Sequence, residues 1–332
     1  MEKRLNVAVV GATGVVGSTF VKVLQEIKFP IQNIYFFASA RSAGKKIEFN
    51  GKSYEVEELT ENSFDRPLDL ALFSAGATVS RKFAPIAEAA GVVVVDNSSA
   101  FRMDRDKALI VPEINIDDVK KYPSKIIANP NCSTIQSVMP LKILDKKYHI
   151  NRIVYSTYQA VSGSGQKGIV DFKNTMKGEE PKCYPYPIFN NCLPHIDVFL
   201  DNGYTKEEEK MINETRKILG RGEDLRITAT TVRVPVINSH SISANIEFEK
   251  DFDLEQLFED LKTVKGLVVM DDVKNNIYPI ATKATGTDDV YVGRIRRDFS
   301  VKSGINMWTV ADNIRRGAAS NAVFIAKAYF GV

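Results

Sequence analysis

The sequence predicts an α/β protein in which a doubly wound, mostly parallel sheet is followed by a second domain built on a mixed sheet. Three observations predict it: a strand, glycine turn and helix at the N-terminus; continuous apolar runs alternating with helical stretches up to about residue 130; and longer polar/apolar alternations beyond Asn129-Pro130-Asn131. The chain length of 332 residues agrees with roughly two domains.

Leu5–Val10 is an apolar run that ends in Gly11-Ala-Thr13-Gly14-Val15-Val16-Gly17, after which Phe20, Val21, Val23, Leu24 and Ile27 recur at helical spacing. Further apolar runs follow at Ile34–Ala38, Leu70–Ser74 and Val92–Asp96, the last two separated by a helical stretch, Val79–Ala90. Strands that are apolar along their whole length are buried on both faces, as in a parallel sheet covered by helices. Residues 1–130 therefore read as a Rossmann-like dinucleotide-binding domain.

Residues 131–310 read as an α+β domain. A helix opens at Cys132-Ser133-Thr134, and Pro140 should kink or end it. The alternations Arg152–Ala160, Arg226–Pro235, Ser241–Glu249 and Val290–Arg297 predict strands of a mixed or antiparallel sheet with one solvated or partner-covered face. The alanine-rich stretch Ala311–Tyr329 predicts a last helix, and residues 311–332 are expected to return to the first domain.

Composition excludes several functions. Lys+Arg 44 against Asp+Glu 41 leaves +3 with no basic tract, so neither a nucleic acid nor an anionic membrane has an electrostatic footprint here. No run approaches the roughly 18 apolar residues that span a bilayer. Cys132, Cys183 and Cys192 form no CxxC, which supports neither a disulfide framework nor a metal site. A cytoplasmic protein is expected.

Six segments carry chemistry. In Gly11–Gly17 the first glycine permits a tight turn, Gly14 lets the backbone approach a pyrophosphate, and Gly17 allows close helix–strand packing. The second predicted strand ends in Ala38-Ser-Ala-Arg41-Ser42 and lacks the carboxylate of an NAD site; Arg41 and Ser42 suit a 2′-phosphate, which favours NADP. Cys132 stands at a helix start, where dipole and free N–H groups favour the thiolate. His240 opens a strand seven residues after Arg233, a plausible corner for a base and an anion. Arg102, just past a strand end, and Glu207 with Lys210, three apart on one helix face, complete the candidate set.

With these pieces in place the sequence resembles the aspartate-β-semialdehyde dehydrogenase family over essentially its whole length. The carrying segments are GATGVVG (Gly11–Gly17), NPNCSTIQ (Asn129–Gln136), STYQAVSG (Ser156–Gly163), EEEKMINETRKIL (Glu207–Leu219), RVPVINSHSISAN (Arg233–Asn245) and ADNIRRGAASNA (Ala311–Ala322). The resemblance implies Cys132 as the thioester nucleophile, His240 as general acid/base and Gln159 as the residue that positions substrate at the thiol. It implies Arg233 on the substrate carboxylate, Glu207 on its amino group, and Arg102 and Lys210 on phosphate. Gly11, Thr13, Gly14, Val15, Val16, Gly17, Arg41, Ser42, Ser162, Gly163 and Asn313 would bind NADP. A homodimer or homotetramer is implied as well, and the short segment spacing is similar to the compact bacterial and archaeal branches.

The nearest alternative is the N-acetyl-γ-glutamyl-phosphate reductase family, whose cysteine segment reads more like NPGCYPT than NPNCSTIQ. Glyceraldehyde-phosphate dehydrogenases carry an SCTTN-type segment that is missing here. A non-catalytic NADP-binding protein is a third alternative, against which the joint presence of Cys132, His240 and Arg233 argues.

Overall fold

The structure is a computed structural model that describes residues 4–332. The chain forms two compact units: the described residues through Pro130 together with Ala318–Val332, and Asn131–Gly317.

The first unit contains β1 (Leu5–Val10), β2 (Ile31–Ala38), β3 (Lys46–Phe49), β4 (Lys52–Glu55), β5 (Glu57–Glu58), β6 (Leu70–Phe73), β7 (Val93–Asp96), β8 (Ala108–Leu109) and β9 (Ile126–Ala128). Seven of these make one sheet in the order β5-β2-β1-β6-β7-β9-β8, and every pairing in it is parallel. The strands β3 and β4 form a separate antiparallel hairpin that the sequence reading did not anticipate. Helices α1 (Val15–Glu26), α2 (Ala77–Ala89) and α3 (Pro112–Asn115) belong to this unit. Phe20, Val21, Val23 and Leu24 of α1 pack in one core with Val7, Val9, Phe36 and Leu72. The C-terminal helix Ser320–Phe330 adds Ala322, Val323, Ile325 and Ala326 to that core. Because β1 lies between β2 and β6, strand order reverses there, which is where such sheets bind ligands beyond their carboxyl ends.

The second unit runs through α4 (Cys132–Tyr148), β10 (Ile150–Gln159), α5 (Gly165–Thr175), α6 (Lys206–Leu219), β11 (Arg226–Arg233), β12 (His240–Phe248), α7 (Leu254–Lys262), β13 (Leu267–Val269), α8 (Ala281–Ala284), β14 (Val290–Arg297) and β15 (Gly304–Ala311). Its six-stranded sheet has the order β11-β10-β12-β15-β14-β13 and is mixed, as expected: β10/β11 and β13/β14 are parallel and the rest antiparallel. Along β12, His240, Ile242, Ala244, Ile246 and Phe248 are buried while Ser241, Ser243, Asn245 and Glu247 stand half-exposed on the opposite face.

Two expectations are corrected. Of the two outcomes expected at Pro140, an end to the helix is overturned: α4 continues through it to Tyr148. The missing N–H costs about 3 kcal/mol, but Val138, Met139, Leu141 and Leu144 are all buried around it, and that packing holds the helix. At the other end Ala311 is not helical: it closes β15 and pairs with both His240 and Val290. The α-helix starts only at Ser320, after a π-turn over Arg315–Ala319 in which Gly317 N–H donates to Asp312 O. Alanine richness concealed the strand end because alanine suits a buried strand position as well as a helix.

Candidate active site

In the first unit the glycine turn is dictated by space. Gly11 has φ +83°, and a Cβ there would lie 2.4 Å from the Ser74 carbonyl oxygen at the end of the neighbouring β6. A Cβ on Gly17 would lie 2.1 Å from the Gly11 carbonyl oxygen, so helix and turn meet at a distance only glycine allows. Gly14 caps α1 in an extended conformation with no side-chain hydrogen bond among the described residues, and no acidic residue occupies the first turn. The first N–H groups of α1, beside exposed Thr13 and half-buried Val15 and Val16, are therefore open to an anion. Arg41 and Ser42 lie in the single turn after β2; Arg41 is exposed, and Thr13 Oγ1 donates to Ser42 Oγ at 3.3 Å, tying that turn to the glycine loop. Arg102 is buried beyond β7 and donates from Nε to the Asn129 carbonyl at 2.9 Å.

In the second unit Cys132 is the first residue of α4 and is half-buried. Asn131 caps the helix: its Oδ1 accepts from Ser133 N at 2.9 Å and Thr134 N at 3.4 Å. Two carboxylates on α6 hold this cap from behind. Glu207 Oε1 accepts from Asn131 Nδ2 at 2.9 Å, and Glu214 Oε2 accepts from the Asn131 backbone N–H at 2.6 Å. Seven residues separate them, two helical turns, so both face one way.

Glu207 is a junction. Gln159, the last residue of β10, donates from Nε2 to Glu207 Oε1 at 3.0 Å and also to Ser133 Oγ, beside the cysteine. Lys210 Nζ lies 3.1 Å from Glu207 Oε2 and 2.6 Å from Asp197 Oδ2. Burial pushes the Glu207 carboxyl upward, but Lys210, Gln159 and Asn131 outweigh it and hold the pKa down at about 2. Burial works downward on Lys210, and Glu207 with Asp197 overcomes it, leaving that ammonium raised.

The other half of the cluster hangs on Ala160. Its N–H donates to His240 Nδ1 at 3.0 Å, and its carbonyl accepts from Arg233 Nη1 at 2.7 Å. Arg233 is the register partner of Gln159 across β10/β11, while His240 follows Ser239, whose φ of +74° turns the chain into β12. Burial and the nearby Arg233 lower the His240 pKa to about 3, against an opposing pull from Glu207, so the ring is neutral. Gly163 covers both side chains: a Cβ there would be 2.8 Å from Arg233 Nη1 and 3.3 Å from His240 Nε2. Asn313 Oδ1 accepts from Ser239 N at 2.9 Å, and its Nδ2 donates to Ser162 Oγ at 3.0 Å. Arg233 Nε and His240 Nε2 are buried without a hydrogen-bond partner among the described residues. Buried polar atoms are nearly always satisfied, so two orphans on neighbouring side chains mark a place built for a ligand.

Of the predicted site residues, Cys132, Gln159, Glu207, Lys210, Arg233, His240, Ser162, Gly163 and Asn313 fall in the second unit, and Gly11, Thr13, Gly14, Val15, Val16, Gly17, Arg41, Ser42 and Arg102 in the first. Sequence reasoning missed Ala160, Glu214 and Gly317, which act through backbone groups or through lack of bulk. Asn131 was within reach, since an asparagine directly before a helix start is a capping signal. The other histidines lie elsewhere: His149 is 3.5 Å from Glu249, and His195 stacks on Phe199. No group of three or more His, Cys, Asp or Glu among the described residues could hold a metal ion.

A parallel sheet with an open glycine corner, together with a helix-start cysteine and a buried neutral histidine, is the layout of a dinucleotide-dependent aldehyde dehydrogenase. The family model described as "Semialdehyde dehydrogenase, NAD binding domain" matches residues 6–122, and "Semialdehyde dehydrogenase, dimerisation domain" matches residues 141–316. A curated aspartate-semialdehyde dehydrogenase from Aquifex aeolicus (strain VF5) is 53% identical over 330 residues, covering 97% of this chain and 96% of its own. The crystal structure of aspartate semialdehyde dehydrogenase II complexed with ASA from Vibrio cholerae matches with TM-score 0.94 at 43% identity over 99% of both chains. That of the Candida albicans enzyme with NADP matches with TM-score 0.77 at 26% identity, again over 99% of both. The chain belongs to the aspartate-semialdehyde dehydrogenase family.

Proposed function

We propose that this protein catalyses the NADPH-dependent reductive dephosphorylation of L-aspartyl 4-phosphate to L-aspartate 4-semialdehyde through a thioester on Cys132, in lysine, threonine and methionine biosynthesis. One observation carries the proposal: Arg233 Nε and His240 Nε2 are buried, unpaired among the described residues, and both adjoin Gly163 in the unit whose α4 begins with Cys132. They offer one site for an anion and one for a carbonyl oxygen in the unit that also holds Cys132.

Each residue has a task. The start of α4 favours the Cys132 thiolate, which adds to the acyl carbon. Arg233 takes the substrate carboxylate with its planar fork, and Glu207, held ionised at neutral pH by its neighbours, takes the ammonium group. Gln159, already bonded beside Cys132, positions the acyl group, and His240 serves the carbonyl oxygen. Arg102 and Lys210 are assigned to phosphate. For the dinucleotide, the Gly11–Gly17 corner fits a pyrophosphate because a Cβ at Gly11 or Gly17 would overlap backbone and α1 offers uncapped N–H groups. Thr13, Val15 and Val16 line that corner, and Arg41 with Ser42 suits the 2′-phosphate of NADP. Ser162, Gly163 and Asn313 are assigned to the same cofactor, which when bound supplies or accepts the hydride.

The half-exposed sheet face, with Ser241, Ser243, Asn245 and Tyr158, suits a homodimer or a homotetramer, in keeping with the dimerisation-domain match. No helix of the described residues is long and apolar enough to cross a membrane, and a cytoplasmic location is proposed.

The test is reduction of NADP⁺ by purified protein given L-aspartate 4-semialdehyde and phosphate, with loss of activity in Cys132→Ala. Turnover surviving that substitution would sink the covalent route. Activity confined to N-acetylglutamate semialdehyde would move the chain to the alternative substrate.

A further inference from the structure

Lys210 answers to two carboxylates, and only one of them has a task in the reaction. An ammonium has three N–H donors; among the described residues two go to Asp197 Oδ2 at 2.6 Å and Glu207 Oε2 at 3.1 Å. The shorter bond is to Asp197. One positive charge against two negative ones leaves these three side chains at −1, a poor balance for a lysine assigned to phosphate.

The segment that carries Asp197 is pinned on both sides. Leu193 exchanges two backbone hydrogen bonds with Arg233 at the end of β11, each 2.8 Å long, and the Val198 carbonyl accepts from Lys206 N–H at 2.9 Å at the start of α6. Asp197 itself has φ +67°, in the left-handed region that Gly, Asn and Asp enter most readily. Its Oδ1 accepts from Val198 N–H at 2.9 Å, which commits that oxygen to the local turn and leaves Oδ2 for Lys210. The Lys210 side chain is 18% exposed and that of Asp197 32%, so solvent ions screen this pair less than they screen two fully exposed charges.

We propose that Asp197 competes with phosphate for Lys210, and that this competition sets how tightly the protein holds phosphate. The proposal deepens the function given above and rests on the assignment of Lys210 to phosphate. A phosphate oxygen on Lys210 either shares the ammonium with both carboxylates or displaces one of them. Glu207 is the harder to displace, because it is buried and also holds Gln159 and Asn131. Asp197 is the more exposed, and displacing it forfeits the Asp197–Lys210 pair. In the reductive direction phosphate is a product, so the weakened grip favours its release. Asp197 makes and breaks no covalent bond; it acts through Lys210 and is a positioning residue.

Asp197→Asn keeps the size and the favoured φ and removes the charge. Its Kd for inorganic phosphate, measured by titration calorimetry, should fall about three- to fivefold, the upper range for a partly exposed ion pair. The KM for phosphate in NADP⁺ reduction should fall by the same factor while the KM for L-aspartate 4-semialdehyde stays nearly unchanged, a split that a merely structural role would not produce. An unchanged or raised phosphate Kd overturns the proposal. So does a raised semialdehyde KM with no gain for phosphate, which would make Asp197 a ligand of the substrate ammonium group. Asp197→Gly, which suits the same φ, takes the place of the amide variant if that one does not fold. In a Lys210→Met background the gain from Asp197→Asn should vanish; an equal gain there would mean that Asp197 repels phosphate from a distance and does not compete for Lys210. Lys210→Met that bound phosphate as wild type does would remove both the assignment of Lys210 and this proposal. Calorimetry needs no turnover, so wild-type protein that reduced no NADP⁺ with the semialdehyde would sink the function while the phosphate titrations still decided the role of Asp197.

Discussion

Glu207 Oε1 accepts a hydrogen bond from Asn131 Nδ2 at 2.9 Å. The carboxylate proposed to receive the substrate ammonium therefore also steadies the cap of the helix that presents Cys132. In that proposal recognition and nucleophile geometry share one side chain, and Gln159 ties the same carboxylate to Ser133. Damage to Glu207 should consequently reach kcat as well as KM.

Glu207 also sets an acid limb on stability. Its pKa of about 2 lies below the ordinary 4.5, so its contribution is complete above pH 4.5 and disappears as pH falls toward about 2. At about 1.4 kcal/mol per pKa unit, the upper bound is about 3 kcal/mol. Glu207→Gln should lose up to that amount at neutral pH, and its urea midpoint should fall less steeply than wild type as pH drops below 4.5. Parallel curves for the two proteins would show that Glu207 is not held ionised by its neighbours.

Arg41 should read the 2′-phosphate. It is exposed in the turn after β2, and its neighbour Ser42 is bonded to Thr13 of the glycine loop. A charge-assisted hydrogen bond is worth about 1.5–3 kcal/mol, so Arg41→Ala should raise Kd for NADP⁺ by roughly ten- to a hundredfold while leaving NAD⁺ nearly unchanged. Titration calorimetry with both cofactors decides it, and equal losses would remove Arg41 from that role.

Gly163 separates function from folding. A Cβ there would lie 2.8 Å from Arg233 Nη1 and 3.3 Å from His240, the outer ends of side chains and not backbone. The two side chains must give way, and a misplacement approaching 1 Å costs about 10²-fold in rate. Gly163→Ala should therefore lose kcat/KM on that scale with little movement of the urea midpoint. A large drop in stability with unchanged kinetics per folded molecule would reverse the assignment.

Much of this was legible in the sequence because the signals were local. The Gly11–Gly17 corner, the apolar runs in the strands Leu70–Phe73 and Val93–Asp96 and the helix start at Cys132 each depend on a few adjacent residues. What escaped depended on distance along the chain. Gly304–Ala311 is a central strand because His240–Phe248 lies beside it, and nothing within its own eight residues declares that register. Ala160 holds His240 and Arg233 through main-chain atoms that every residue possesses, so no residue type could announce it. Glu214 reaches Asn131 across 83 positions.

Gly317 was passed over for a similar reason, and it carries the last prediction. Its ideal Cβ would stand 2.8 Å from Cys132 Cβ and 3.2 Å from Cys132 Cα. Unlike Gly163, it abuts the backbone of a buried helix start, held by the Asn131 cap and by Gly317 N–H on Asp312 O. Overpacking such a site costs about 1–3 kcal/mol, and relief requires the nucleophile itself to move. Gly317→Ala should destabilise by that amount and also slow alkylation of Cys132 by iodoacetamide at pH 7 by severalfold. Cys192, exposed in the same unit, is the internal reference. If Cys132 and Cys192 kept their wild-type ratio of rates in folded protein, Gly317 would matter for packing alone and not for placing the thiol.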